Sequence, residues 1–228
     1  MKLSPAPLIP VLVCLAACAS REDPFAPGAR LDVVRHEPAT EGLAPLRYAL
    51  VARSEVGGAD GSLHLWLPLP TSSPYQVVHS LAWEVGPRGT YAVETNEAGD
   101  RLLHVTASGG ALPPVLVRAT IERSQTFGDR LPEQLSSRVE DPAEWARLIQ
   151  RRGGRARLAH GVELFEGGGA RAGAWPEVIV EDEWTPVDLR SQQLGLHERR
   201  VRLATLPPRA ERDGEPVEVE TRYTLTRE

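Results

Sequence analysis

The stretch that decides the fold reads Gly173-Ala-Trp-Pro-Glu-Val-Ile-Val-Glu-Asp-Glu-Trp-Thr-Pro-Val-Asp188. Its first half alternates in the manner of a half-buried strand, with Val178 and Val180 on one face. Residues 181–183 are all acidic and form a polar break, after which the chain returns through residues 184–187. The stretch therefore predicts two short strands joined by an acidic turn.

A helix and a strand precede this hairpin. Asp141 is a strong N-cap, Pro142 suits the first helical position, and Glu144 is placed to reach back to the cap. The glycine pair Gly153-Gly154 ends the helix. Residues 156–164 then predict a strand, so the order along the chain is helix, glycine turn, strand and hairpin.

These residues resemble the transglutaminase-like (papain-type) superfamily of bacteria, in which an Ala-Trp-x-Glu-Val strand is followed by Trp-x-Pro-Val-Asp. Six hairpin positions match: Trp175, Glu177, Trp184, Pro186, Val187 and Asp188. Three positions of the preceding strand also fit: Ala156, Arg157 and Gly161. The resemblance is nearly continuous from Trp145 to about Ala204 and implies a shortened transglutaminase-like α/β unit.

The catalytic residues of that family are mostly missing from this chain. Gly173 occupies the position of the family's histidine, and an ungapped count back from Arg157 places the cysteine position at Arg138. The family chemistry needs a thiolate at a helix amino end beside a histidine oriented by a carboxylate. Only the orienting carboxylate, Asp188, is retained. The resemblance therefore implies a pseudoenzyme.

A substitute nucleophile is the alternative at this place. Ser136 and Ser137 lie near the missing cysteine, but His160 is on the following strand and nothing in the sequence directs it toward them. His197-Glu198 lacks a third ligand at metal spacing, so we expect no metal and no cofactor. The hairpin instead predicts a candidate groove formed by Trp175, Glu177, Trp184 and Asp188.

Asp188 has lost the histidine that it orients in the family. A carboxylate left buried and unpaired is costly, so we expect Asp188 either to be solvated or to be paired with an arginine. The candidate partners are Arg138, Arg171 and Arg190.

The N-terminus has the features of a secretion signal. Lys2 precedes an apolar run over residues 8–17, which is too short to span a bilayer. The run ends Leu15-Ala-Ala-Cys18, which resembles the lipobox of bacterial lipoproteins and implies lipidation of Cys18. An ordinary signal peptide, with Ala17 and Ala19 as small cleavage-site residues, is the alternative.

Residues 1–17 are accordingly the predicted signal peptide, and residues 18–30 a lipidated tether that attaches the protein to a membrane of the bacterial cell envelope. Ala19, as the second residue of the mature chain, favours the periplasmic face of an outer membrane by resemblance to the usual sorting pattern.

Composition excludes some classes of function. The net charge is −5 and the chain has a single lysine, Lys2, so a basic nucleic-acid-binding face is not expected. The two cysteines, Cys14 and Cys18, both lie in the signal region, so the folded part must be stabilised by burial without disulfides.

The rest of the chain divides into three predicted parts. Residues 31–126 read as six strands of a β-sandwich, and Trp66-Leu-Pro-Leu-Pro70 resembles the β-domain that precedes the core in many family members, although a generic secreted sandwich is the alternative. Residues 127–205 are the degenerate transglutaminase-like core. Residues 206–228 are a connector and a final strand, which the sequence assigns to neither unit.

The predicted fold class is α+β and mainly β. The predicted function is that of a cell-envelope lipoprotein with an inactive transglutaminase-like domain, which acts as a binding or assembly module for an envelope protein or peptide. Two alternatives stay open: a hydrolase or transferase with an unrecognised nucleophile, and a folded remnant of an internal deletion without a function.

Overall fold

The structure is a computed structural model that describes residues 44–58, 60–124, 130–165, 169–180, 182–195 and 199–228. The predicted signal peptide, Cys18, the tether and residues 31–43 of the predicted β-domain lie outside this description. Within the described ranges, no helix has the length and hydropathy needed to cross a membrane.

The described chain forms fourteen strands and one helix, in three antiparallel sheets. The elements in chain order are β1 (Leu46–Val56), β2 (Ser62–Pro68), β3 (Gln76–Glu84), β4 (Gly89–Thr95), β5 (Arg101–Ser108), β6 (Val115–Arg123), α1 (Pro142–Arg151), β7 (Ala156–Leu164), β8 (Ala170–Val180), β9 (Glu183–Asp188), β10 (Gln193–Leu194), β11 (Arg200–Ala204), β12 (Arg209–Arg212), β13 (Glu215–Val217) and β14 (Val219–Arg227).

The first sheet has the strand order β14-β1-β6-β3, and the second has the order β13-β12-β2-β5-β4. They pack face to face because alternate residues point inward, as Leu63, Leu65 and Leu67 do from β2 and Leu103 and Val105 do from β5. The six strands that the sequence predicts between residues 46 and 123 are all present.

The third sheet has the order β10-β9-β8-β7-β11 and packs on the same face of the first sheet, beside the second. The strands of the first sheet are long enough to pack against both the second and the third sheet. Val56 and Val115 face the second sheet at one end, whereas Leu46 and Ile121 face Val162 of the third sheet at the other. The second and third sheets therefore lie side by side on the first, and the candidate site forms where the turn before β5 meets β11.

The helix α1 covers the remaining part of the third sheet. Asp141 caps it by accepting a hydrogen bond from the Glu144 amide at 2.7 Å, and Gly153 ends it with a φ of 85°. Trp145 and Ile149 are fully buried and pack in one cluster with Val178 of β8.

The predicted transglutaminase-like α/β unit is wrong, although the mainly-β part of the predicted fold class is correct. Strands β7 to β10 follow one another through short antiparallel connections, which need no helical crossovers. At the central hairpin Val180 pairs with Glu183, and Asp182 adopts a φ of 66° in the turn. Among the residues described between β6 and β7, α1 is the single helix, and it covers one end of an antiparallel sheet.

The C-terminal residues return to the first two sheets. β12 pairs with β2 and continues into a hairpin with β13, which extends the second sheet. β14 pairs with β1 over nine residues, from Val219 opposite Val56 to Arg227 opposite Tyr48. The final strand, which the sequence assigns to neither unit, thus belongs to the first sheet.

Candidate functional site

The candidate site lies on the face of the third sheet that points away from α1, here called the site face. Residues that are directly paired across antiparallel strands project to the same side of a sheet. Arg157 pairs with Glu177, and Glu177 pairs with Pro186, so all three lie on this face. Val178 and Val180 project to the opposite face, where they contact the helix cluster.

Glu177 is the centre of a buried ionic network, and its side chain is 1 % exposed. Its two carboxylate oxygens accept hydrogen bonds from two arginines: the Arg157 Nε lies 2.7 Å from Oε2 and the Arg202 Nε lies 2.7 Å from Oε1. The second guanidinium then binds Asp100, with 2.9 Å between Nη1 and Oδ1. Glu177, Arg157, Arg202 and Asp100 are called the inner cluster.

Asp100 brings the second sheet into this network, because it ends the turn between β4 and β5. Its Oδ2 accepts hydrogen bonds from the Thr205 amide at 2.8 Å and from the Thr205 hydroxyl at 2.6 Å. Burial alone would raise the pKa of Asp100, but these hydrogen bonds and the charge of Arg202 outweigh it and hold the pKa below its ordinary value. In the same way Glu177 and Asp100 raise the pKa of Arg202 against the effect of its burial.

Gln76, at the start of β3, fixes the first sheet to the same place. Its amide nitrogen donates to the carbonyl oxygens of Thr71 at 2.7 Å and Arg202 at 2.8 Å, and its amide oxygen accepts from the Arg202 amide at 3.0 Å. Gln76 is itself buried. One side chain thus satisfies the backbone of a loop and of β11 together, and all three sheets contribute to the site.

A cleft of about 280 Å³ opens beside the inner cluster. Trp184 forms one wall, and the Arg157 guanidinium stacks on its ring with 4.0 Å to the centroid. The opposite rim is the segment from Thr71 to Tyr75, and the turn that ends at Asp100 closes one side. The cleft is therefore lined by hydroxyl groups, an aromatic ring, the paired charges of the inner cluster and the exposed carboxylate of Glu183.

Asp188 lies in a second ionic group on the same face. Its Oδ1 is 3.8 Å from Nη1 of Arg200 and accepts a hydrogen bond from the Arg190 amide at 3.1 Å. The Arg200 Nε also lies 3.2 Å from Glu163, which is bound by Arg171 at 3.0 Å. Burial alone would raise the pKa of Glu163, but the two arginines lower it. Asp188, Arg200, Glu163 and Arg171 are called the outer cluster.

An arginine thus pairs with Asp188, but it is Arg200 and none of the three candidates from the sequence. Arg171 binds Glu163 instead, Arg138 is exposed, and Arg190 contributes its backbone amide. The Asp188 side chain is 14 % exposed, so it is neither fully solvated nor buried alone.

Two glycines face each other under the ring of Trp175, because Gly161 pairs with Gly173. A Cβ at Gly161 would overlap the Val201 carbonyl and the Trp175 ring, so this strand position needs glycine. A Cβ at Gly173 would lie 3.7 Å from the Glu163 Cβ and 3.9 Å from the Trp175 ring, which is ordinary contact. Gly173, the predicted histidine position, therefore has room for a Cβ atom.

The predicted nucleophile position is on the other side of the sheet. Val139, next to Arg138, packs in the helix cluster, whereas Gly173 lies on the site face. The two serines nearby have local partners: the Ser136 hydroxyl donates to Gln192 at 3.2 Å, and the Ser137 hydroxyl accepts from the Val139 amide at 2.9 Å. The structure thus brings Trp175, Glu177, Trp184 and Asp188 to one face and leaves Arg138 apart from them.

The inner cluster and its surroundings contain three residues that the sequence does not single out: Asp100, Arg202 and their buried neighbour Gln76. Gln76 and Arg202 are 126 residues apart in the chain, so no local spacing could indicate their contact. No group of three histidine, cysteine, aspartate or glutamate side chains is arranged to hold a metal ion in the part of the chain that the structure describes.

No protein-family model matches this chain. No curated protein matches it significantly in sequence. A solved structure from Cytophaga hutchinsonii, described as a "Putative Cysteine Protease", is similar in fold, with a TM-score of 0.51 and 11 % sequence identity. The similarity covers 82 % of this chain and 90 % of that one.

This likeness concerns the fold alone, since so low an identity carries no catalytic residue from one chain to the other.

Proposed function

We propose that the protein is a lipid-anchored, non-catalytic binding module of the bacterial cell envelope. Its cleft beside Trp184 would take an extended segment of an envelope protein or peptide. The observation that carries the proposal is the inner cluster, in which both carboxylates are already engaged by arginines and hold the cleft in a fixed shape.

The non-catalytic part is supported by the missing chemical groups. The sequence has no cysteine after Cys18, and Gly173 provides no side chain at the histidine position. Asp188 is held by Arg200. Removing the members of a catalytic triad together typically lowers the rate by roughly 10⁶-fold, so we expect no transamidase or peptidase turnover.

The binding part is supported by the size and lining of the cleft. Its volume of about 280 Å³ is near the lower limit for small-ligand pockets, which hold roughly 300–1,000 Å³, and so suits one or two side chains of a longer segment. Tyr75 and Ser73 supply polar groups at the rim, and Trp184 supplies an aromatic wall. The inner cluster is balanced in charge, and Glu183 adds one exposed carboxylate, so the site favours a neutral or mixed segment over a strongly acidic one.

A site-specific photo-crosslinker tests the binding part in cells that express the natural chain. Ser72 and Glu183 are exposed residues of the cleft, and Thr224 is an exposed residue of β14 outside the cleft lining. We expect a crosslinker at position 72 or 183 to capture one discrete envelope protein, and the Glu177→Gln variant to reduce that capture. Equal capture from position 224, or none from the cleft, contradicts the proposal and favours a remnant without a function.

The non-catalytic part is tested with amine-donor and peptide substrates and a serine-directed probe. We expect neither turnover nor labelling. Activity that disappears on Ser136→Ala or Ser137→Ala would instead support a hydrolase or transferase with a different nucleophile.

The anchor is tested by fractionation of cells that produce Cys18→Ser. A lipoprotein with two or more chains is stably anchored. We therefore expect the variant to be released in soluble form or to accumulate as unprocessed precursor, while a Cys14→Ser control behaves as the parent. A processed Cys18→Ser protein that stays with the membranes contradicts lipidation.

A further inference from the structure

The strand β4 (Gly89–Thr95) forms an open edge of the second sheet. In the described part of the chain it pairs with β5 and has no neighbour on its other side. Its sequence, Gly-Thr-Tyr-Ala-Val-Glu-Thr, contains neither the lysine nor the proline that usually protects an edge strand from pairing with another chain.

The side of β4 that should be buried is also open. Tyr91 pairs with Val105 and Val93 pairs with Leu103, so both project to the core side of the sheet. Nevertheless, Tyr91 is 57 % exposed and Val93 is 39 % exposed, while Val105 and Leu103 are fully buried. The first sheet ends at β3, from which Trp83 reaches Tyr91 edge-on at 5.8 Å between ring centroids. An apolar strip therefore remains uncovered beside an unpaired strand.

The opposite edge of the sandwich is built differently. β14 is the edge strand of the first sheet, and its exposed side chains include Glu220, Arg222 and Arg227. Charges of this kind oppose edge pairing. The two edges thus differ in protection, and β4 is the open one.

We propose that β4 is a self-association surface, through which two copies of the chain pair antiparallel around a two-fold axis at Ala92. This axis pairs all seven residues of the strand and joins two second sheets into one. It places Tyr91 of each copy opposite Val93 of the other, so each exposed apolar residue contacts another one. Ala92 has a small side chain and permits close approach at the axis.

The charges of β4 agree with this register. Thr90 lies opposite Glu94 of the second copy, so no like charges face each other. Glu94 also has its own partner, with 2.6 Å between its carboxylate and the His104 Nδ1. A register centred on Glu94 would instead place two carboxylates directly opposite. The strand is therefore complementary to itself, as an isologous interface requires.

Disulfide crosslinking tests the register directly in the full chain. Directly opposed antiparallel residues have Cα atoms about 4.5–5.5 Å apart, which is within the range that a disulfide spans. We expect Ala92→Cys to form a covalent dimer under mild oxidation. The matched control is Thr224→Cys on β14, and the parent chain gives the background from Cys14 and Cys18. Crosslinking at position 92 that does not exceed either control contradicts the proposal.

The mass in solution gives the second measurement. We expect the purified full chain to sediment as a dimer and the Tyr91→Lys/Val93→Lys variant to lose about half of the mass, because lysines at the edge oppose pairing. A Thr224→Lys/Thr226→Lys variant on β14 should remain dimeric. Unchanged circular dichroism confirms that each variant is folded.

Two further results overturn the proposal. One is a parent chain that is monomeric at every concentration tested. The other is an Ala92→Cys variant that is monomeric and whose introduced thiol is protected from thiol reagents, which would mean that another part of the same chain covers β4. Neither outcome depends on the cleft or its ligand, so this experiment tests self-association independently of the proposed function.

Discussion

The inner and outer clusters use the same two kinds of side chain on the same face of one sheet, but they differ in burial. In the inner cluster the charged atoms are 2.7–2.9 Å apart and Glu177 is 1 % exposed. In the outer cluster the distances are 3.0–3.8 Å, and Arg171 is 62 % exposed. The carboxylates differ in the same direction, because Glu163 and Asp188 are 24 % and 14 % exposed whereas Glu177 and Asp100 are 1 % and 3 % exposed. Water therefore screens the outer charges more than the inner ones, which depend on one another.

The difference teaches which of the two hairpin carboxylates has a structural role. Glu177 and Asp188 both belong to the sequence pattern that resembles the superfamily. Glu177 joins the third sheet to the second through Arg202 and Asp100, whereas Asp188 reaches Arg200, which also binds Glu163. A carboxylate that matches a catalytic pattern can therefore be part of a structural ion pair, and the two clusters should respond very differently to mutation.

The largest effect is expected from Glu177→Gln. The substitution leaves Arg157 without a carboxylate partner and the buried Arg202 with Asp100 as its one carboxylate. Removing one partner of a buried ion pair costs about 3–5 kcal/mol. Urea unfolding followed by tryptophan fluorescence measures the change. The control is Glu163→Gln in the outer cluster, for which we expect about 1 kcal/mol or less. Equal losses for both variants would remove the distinction between the clusters.

Acid should weaken both clusters. The Asp100→Asn variant isolates the contribution of the inner cluster to the pH dependence of stability. The folded-state pKa values of Asp100 and Glu163 lie below their ordinary values of 3.8 and 4.5. Their stabilisation is thus present above those values and is lost as pH falls through the folded pKa values. Burial lowers the pKa of His160, so the folded chain favours its neutral form. Protonation of His160 therefore also lowers the free energy of unfolding as the pH falls, beginning near pH 6.5.

The measurement is the free energy of unfolding as a function of pH. We expect the parent curve to fall steeply below pH 3.8, and the Asp100→Asn curve to be lower at neutral pH but flatter in acid. His160 and Glu163 are unchanged in both proteins, so they cancel in the comparison. Parallel curves would mean that Asp100 has the same pKa in the folded and unfolded chain.

A smaller effect separates the two glycines between the clusters. Gly161→Ala places a methyl group against the Val201 carbonyl, which belongs to the neighbouring strand and cannot rotate away. Overpacking of this kind costs about 1–3 kcal/mol. Gly173→Ala meets its neighbours at 3.7 Å or more, so it should be neutral or stabilise by a few tenths of a kcal/mol. Thermal unfolding of the pair measures the difference, and a destabilised Gly173→Ala would mean that this position is crowded.

The sequence predicts most of the strands and the helix, but only part of the candidate site. Strand alternation and the Asp141 cap are local signals, and they correctly predict β1 to β6, α1 and the central hairpin. The site could be predicted only in part. Glu177 and Arg157 lie on adjacent predicted strands, but Asp100 and Gln76 reach Arg202 through the packing of three sheets. The α/β unit was a wrong expectation because it came from resemblance, whereas the short connections between β7 and β10 already favour an antiparallel sheet.

The smallest effect is expected at Asp188, where the outer cluster is most easily tested. Asp188→Asn removes the charge but keeps a side-chain oxygen that can accept from the Arg190 amide. Arg200 is 3.8 Å away and retains Glu163, so neither partner is left buried and unpaired. We therefore expect a loss of about 1 kcal/mol or less, as for a partly exposed ion pair. Urea unfolding measures it, with Asp182→Asn as the control because Asp182 is exposed in a turn with a φ of 66° that asparagine also adopts. A loss as large as that of Glu177→Gln would mean that Asp188 is a buried structural carboxylate, and that the two clusters form one network.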